Sequence, residues 1–244
     1  MEKEKKKAEL SISVHNKTAI VMGATGLIGN HLIKKLLQDD SYEKVLTIGR
    51  TESDYTHEKL RHIAVDFDKL SAQDKRIKGH DLYIAFGTTR AKAGSKERFR
   101  EIDYTYPMKV IKSAYANGVR QVLLVSSIGA DSDAYFFYLN VKGELEDALR
   151  QMDFWAIHIF RPSLLIGNRN ESRLGEDIAQ VIAKGLNYFT RRMVYKYKPI
   201  NAVRLAETMV RIAQNMESGV HIYESARIHN LADSYGLKLN ERNT

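Results

Sequence analysis

Ser127, Tyr138 and Lys142 are the residues whose types and spacing could do proton chemistry. Tyr138-Leu139-Asn140-Val141-Lys142 is a Y-x-x-x-K pair that begins eleven residues after Ser127. Residues four apart on a helix share a face, so the phenol and the ammonium can point into one site. A nearby positive charge favours phenolate and lowers a phenol's pKa. Such a tyrosine can donate or accept a proton near neutral pH. Ser127 closes an apolar run and can hydrogen-bond a substrate oxygen, and Lys142 can also bond a ribose hydroxyl. Tyrosine and lysine are common, so the pair gains meaning only from its place in the chain.

That place is set by Gly23-Ala24-Thr25-Gly26-Leu27-Ile28-Gly29, a G-x-x-G-x-x-G loop. It follows the apolar run Thr18 to Met22 and opens an amphipathic helical pattern from Leu27 to Leu37, the context a dinucleotide loop requires. Glycine permits the tight turn, lets the backbone approach a pyrophosphate, and lets helix pack closely on strand. The helix N-terminus then offers N–H groups and partial positive charge to phosphates. Gly23, Thr25, Gly26, Leu27, Ile28 and Gly29 are therefore candidate cofactor-binding residues. No Gly-Lys-Ser/Thr follows, so the loop is not a P-loop. No G-x-S-x-G occurs in the chain either.

An NAD site places a carboxylate at the end of the second strand for the ribose 2′-hydroxyl. Here that stretch is Ile48-Gly49-Arg50-Thr51. A guanidinium at this position can fork onto a 2′-phosphate and stack on adenine. The reading favours NADP(H) over NAD(H), with a solvated loop arginine as the alternative.

Around these groups the chain alternates short β-branched runs with helical patterns, as parallel sheets with crossover helices do. Strands are expected at Thr18–Met22, Val45–Ile48, Ile63–Val65, Leu82–Phe86, Val122–Val125, Trp155–Phe160 and Val220–Tyr223. Helices are expected at Leu27–Leu37, Tyr104–Ala116, Tyr138–Met152, Ile178–Lys184 and Val203–Gln214. The fold class is α/β, a Rossmann-type doubly wound parallel sheet with a small C-terminal substrate-side portion. Residues 1–16 read as a disordered basic segment. Residues 17–244 read as one NAD(P)-binding domain, with substrate-side elements from about 163–200 and 224–244.

Hydrophobic residues make up 43% of the 244 and charged residues 28%, an ordinary globular balance. The absence of cysteine excludes disulfides and cysteine-ligated metal. Eight histidines form no H-E-x-x-H and no close metal-spaced pair; His31 and His158 read as packing or surface residues. The net charge of +8 is spread along the chain, which suits an anionic cofactor better than nucleic acid. No apolar run resembles a signal or a membrane span, so a cytoplasmic protein is expected. Tyr135, Phe136 and Phe137 could wall a pocket or pack a loop. Arg161, Arg169 and Arg173 could bind an anionic group or cover the surface.

Taken together these residues resemble the short-chain dehydrogenase/reductase superfamily, in its extended or atypical part. The resemblance runs from Thr18 to about Ala232. It rests on the glycine loop, Asp66-Phe67, Ala85-Phe86-Gly87-Thr88-Thr89, Ser126-Ser127, Tyr138 with Lys142, and Arg161-Pro162. The stretches Phe86 to Arg90, Lys92-Ala93-Gly94, Tyr138 to Glu144 and Arg169 to Arg173 are similar to the HIV Tat-interacting oxidoreductase branch, whose small members bind NADPH. The resemblance implies that Asp66 meets the adenine amino group and that Phe67, Ala85, Phe86, Gly87 and Thr88 run along the cofactor. It implies that Pro162, Leu164 and Leu165 flank the nicotinamide and that Ser127, Tyr138 and Lys142 form the catalytic triad. It also brings the prospect of a regulatory protein partner and of a homodimer. Many family members carry asparagine where this chain has Asp103.

The first functional expectation is an NADP(H)-dependent oxidoreductase acting on a small carbonyl or alcohol. An NADPH-binding sensor or scaffold is the second. An NAD-dependent epimerase or dehydratase is the third, disfavoured because only 83 residues follow Arg161.

Overall fold

The computed structural model describes residues 15–166 and 198–242, the last six as backbone. The first three strands are β1 (Lys17–Met22), β2 (Tyr42–Gly49) and β3 (Leu60–Ala64). The others in the main sheet are β4 (Asp81–Ile84), β5 (Gln121–Val125), β6 (Ala156–Arg161) and β9 (Gly219–Glu224). They form one parallel sheet in the order β3-β2-β1-β4-β5-β6-β9. A parallel sheet is buried on both faces, and the side chains of β1 show it. Ala19 and Val21 enter one core, with α1 (Leu27–Leu37) and α6 (Ala202–Gln214). Ile20 and Met22 enter the other, with α4 (Tyr106–Ala116) and α5 (Phe137–Arg150).

The chain runs outward from β1 through β2 to β3, then returns to lay β4 on the other side of β1. This reversal opens a crevice at the carboxyl ends of β1 and β4, where open α/β sheets take ligands. Two short strands, β7 (Leu165–Ile166) and β8 (Ile200–Asn201), pair beside it.

All seven expected strands of the main sheet are present, with shifted ends. β4 stops at Ile84: Ala85 N–H donates a last bond to Met22 O of β1 at 2.9 Å, and both Ala85 and Phe86 line the crevice. The helix expected from Tyr104 begins earlier, as α2 (Arg90–Ala93), α3 (Lys96–Arg100) and a π-helical turn over Glu101–Thr105. Pro107 explains the widening: it has no N–H for an α-helical bond, and the ladder lengthens to Tyr106 N–H donating to Glu101 O. A last helix, α7 (Ser225–Arg242), was not expected, since its polar residues mask any apolar period. The helix expected over Ile178–Lys184, together with Arg169 and Arg173, lies outside the described residues. So does residues 1–14 of the segment expected to be disordered.

The end of the sheet away from the crevice is tied by a buried polar chain. Lys17 Nζ lies 2.6 Å from Asp81 Oδ2, and the Tyr42 hydroxyl donates to the same carboxylate at 2.5 Å. Gln121 Nε2 donates to Asp81 Oδ1 at 3.1 Å, and His158 meets both Gln121 and the Tyr223 hydroxyl. His158 is fully buried, and burial, then the adjacent His221, hold its pKa down to about 4. The unfolded chain takes up this proton near pH 6.5, so the contribution of His158 to stability is lost as pH falls from there towards 4. At ~1.4 kcal/mol per pH unit, the loss by pH 5 is about 2 kcal/mol. Urea unfolding at pH 7 and pH 5 should show a pH dependence smaller by that amount in His158→Gln. An unchanged dependence would contradict the assignment.

Candidate active site

β1 ends in a turn that no side chain could enter. Gly23 has φ +95°, and a Cβ there would lie 2.4 Å from Ala85 O. Gly26 N–H donates to Gly23 O at 2.9 Å and closes the turn. A Cβ on Gly29 would stand 2.0 Å from Gly23 O, so α1 can pack on the turn only with glycine at this position. Gly26 caps α1 with no side-chain acceptor, and no acidic residue lies in the first turn. The helix N-terminus can therefore serve an anion.

Two adjoining clefts follow the crevice. The first, about 290 Å³, lies over the ends of β1 and β2 and is lined by Gly23, Thr25, Gly26, Arg50, Phe67 and Lys92, among others. The second, about 280 Å³, is lined by Ile28, Thr88, Asp103, Ser127, Tyr138, Lys142 and the segment Pro162 to Ile166. Ala85, Phe86, Gly87 and Lys92 border both. The pair forms a trough with glycines and cations at one end and proton-active side chains at the other, a shape and donor set that fit a nicotinamide dinucleotide.

Ser127, Tyr138 and Lys142 meet in the second cleft although β5 and α5 supply them separately. Ser127 lies just past β5, is buried, and its hydroxyl donates weakly to Ile128 O at 3.4 Å. Lys142 is 5% exposed, and its Nζ lies 2.8 Å from Oδ1 of the fully buried Asp103. Thr88 N–H donates to the other oxygen of that carboxylate at 2.9 Å. The π-helical turn carries Asp103 and aims it at Lys142. Burial pulls the Lys142 ammonium down, but Asp103, Tyr138 and Glu146 outweigh it, and the net direction is upward. Lys142 is held as a cation.

A second ion cluster braces the same wall. The Ser126 hydroxyl donates to Glu146 Oε1 at 2.5 Å, and Arg161 forks onto the fully buried Glu146 carboxylate through Nε and Nη2. Arg161 Nη1 also donates to Glu224 at 3.0 Å. Its guanidinium is thus engaged by two carboxylates, which accounts for this arginine without an anionic ligand. Leu164 O accepts from Ile200 N–H at 2.7 Å, and the Ser163 hydroxyl donates to Lys198 O at 2.6 Å. These bonds fix the segment that carries Pro162, Leu164 and Leu165. Ser225 on α7 donates to Ser163 at 3.1 Å and joins the C-terminal helix to it.

Three of the residues expected along a cofactor line neither cleft. Leu27 belongs to the core and Gly29 to helix–turn packing. Asp66 is exposed; its carboxylate accepts from Asp68 N–H at 3.1 Å and faces Lys69 at 3.7 Å. Phe67 beside it stacks on Tyr106 and meets Phe86 at a tilt. Ser163 and Pro199 also line the second cleft and were given no role from sequence; Lys92 lines it too, and from sequence it stood only within the Lys92-Ala93-Gly94 stretch of the family resemblance, with no role of its own. Only the tertiary fold brings Pro199 and Lys92 to the cleft. Tyr135 is 95% exposed and walls neither cleft. Among the described residues no group of three His, Asp or Glu could hold a metal. No helix among them is long and apolar enough to cross a membrane.

A glycine turn at the switch point of a doubly wound sheet, opening on a two-part trough, defines a dinucleotide-binding α/β protein. The chain belongs to the NAD(P)H-binding family, whose pattern it matches over residues 23–185. It is 37% identical to the protein HTATIP2 of Rattus norvegicus over 171 residues, which cover 68% of this chain and 70% of the relative. It is 34% identical to the mitochondrial protein FMP52 of Candida albicans over 208 residues, covering 83% and 90%. Among solved structures, the oxidoreductase ylbE from Lactococcus lactis superposes with a TM-score of 0.62 at 15% identity, covering 89% of this chain and 95% of that one. This last likeness concerns the fold.

The expectation of a cytoplasmic protein is corrected by these relatives, since the FMP52 proteins are named mitochondrial. That expectation rested on the lack of an apolar leader. Mitochondrial presequences are amphipathic and basic, so such a lack does not discriminate.

Proposed function

We propose that this protein is an NADP(H)-dependent oxidoreductase acting on a small carbonyl or alcohol. The observation that carries the reading is the meeting of Ser127, Tyr138 and Lys142 in a cleft that continues to Arg50. NADP(H), when bound, supplies or accepts the hydride. In the reductive direction the Tyr138 hydroxyl gives its proton to the substrate oxygen, and in the oxidative direction it takes one. Ser127 Oγ–H holds that oxygen in place. Lys142, pinned by Asp103, sets a fixed positive charge beside the phenol and is placed to bond the nicotinamide ribose. Gly23, Thr25, Gly26 and Ile28 shape the pyrophosphate end, with Phe67 and Ala85 to Thr88 along the trough. Arg50 meets the 2′-phosphate, and Pro162, Leu164 and Leu165 cover the nicotinamide end. Of the expected substrate-side portion, the described residues 163–166, 198–200 and 224–242 supply elements of a single domain, and the rest lies outside the described residues.

The reading is tested by following NADPH consumption with a panel of small aldehydes, ketones and quinones. Turnover of at least one class is expected. Tight NADPH binding with no turnover of any class would overturn the enzyme reading in favour of a cofactor-sensing role.

A further inference from the structure

The charged side chains that line the first cleft are Arg50 and Lys92, both cations, with no carboxylate among the described lining residues. Arg50 sits past the end of β2, at one extremity of the trough. Lys92 is placed differently: it borders both clefts, and no other charged residue does so among those described. It lies on α2, whose first turn is fixed by Thr89; the Lys92 N–H donates to Thr89 Oγ1 at 3.3 Å. In the second cleft the charged groups are Lys92, Asp103 and Lys142, the last two ion-paired at 2.8 Å.

A nicotinamide dinucleotide laid along this trough carries its two bridging phosphates between its adenosine and nicotinamide halves. The junction of the clefts, beside the Gly23 to Gly26 turn that opens α1, is where its pyrophosphate would cross. That helix end contributes about half a unit of positive charge against the two charges of a pyrophosphate. We infer that Lys92 supplies the missing side-chain cation: it pairs with the pyrophosphate and sets the affinity for nicotinamide dinucleotides in general. Arg50, at the far end, sets the preference between them. The inference rests on the dinucleotide reading of the trough, and its experiment separates the two.

The experiment is calorimetric titration of the full chain with NADPH and with NADH, for wild type and Lys92→Gln. Lys92 is exposed, so the variant should unfold at the same temperature as wild type. A charge-assisted bond of this kind is worth roughly 10-fold or more in Kd. Lys92→Gln should weaken NADPH and NADH by the same factor, and higher salt should narrow the gap to wild type. Weakening of NADPH alone would overturn the inference and move Lys92 to the 2′-phosphate. Unchanged binding of both would overturn it and leave Lys92 to an anionic substrate group in the second cleft. Failure of the wild type to bind either dinucleotide would overturn the dinucleotide reading and this inference with it.

Discussion

Asp103→Ala should destabilise the protein by about 3–5 kcal/mol, the range seen when one partner of a buried ion pair is removed. Lys142 is 5% exposed and Asp103 not at all, with 2.8 Å between the charged atoms. Removing the carboxylate leaves a nearly buried ammonium without its counter-charge, and it leaves Thr88 N–H without its acceptor. Asp103→Asn should cost less, because an amide oxygen can still accept from one of the two donors. It removes the charge that opposes desolvation of Lys142, so the lysine should lose its proton at lower pH. Denaturant unfolding of both variants measures the ranking. A loss below ~1 kcal/mol for Asp103→Ala would show that Lys142 finds another partner.

Tyr138→Phe should lower turnover of any accepted carbonyl by about 10²–10⁴-fold, the usual worth of a positioned general acid. The variant keeps the ring that packs on Phe99 at 5.7 Å, and it leaves the Asp103–Lys142 pair in place. NADPH affinity and unfolding temperature should therefore stay close to wild type. Single-turnover NADPH consumption together with a binding titration separates the two effects. Turnover that survives the change would remove Tyr138 as the acid, and a parallel loss of binding would make it a cofactor contact instead.

The strands could be read because parallel strands buried on both faces leave near-continuous apolar runs, as Ala19 to Met22 and Val122 to Leu124 do. The glycine turn was legible for a steric reason: Gly23 and Gly29 stand where a Cβ would overlap Ala85 or Gly23 backbone. Strand ends and short helices were not, because tertiary contacts set them. The end of β4 depends on where the chain leaves β1 for the trough after Ala85, and the π-helical turn depends on how Pro107 is accommodated. The candidate site divides the same way. Tyr138 and Lys142 are brought together by helical spacing, which a sequence displays. Lys92 and Pro199 border the second cleft through folding alone, and Arg161 finds Glu146 across fifteen residues and Glu224 across sixty-three. For Asp66 the sequence marks the place after β3, and the fold adds that its carboxylate also bonds its own turn.

If the trough binds a dinucleotide and Arg50 selects the 2′-phosphate, both must show in calorimetric titration with NADPH and NADH, for wild type and Arg50→Ala. Wild type should prefer NADPH by on the order of 10–100-fold, as a charge-assisted pair of hydrogen bonds allows, and Arg50→Ala should erase the preference while keeping NADH affinity. Equal binding of the two by wild type, or a preference for NADH, would contradict that selection by Arg50.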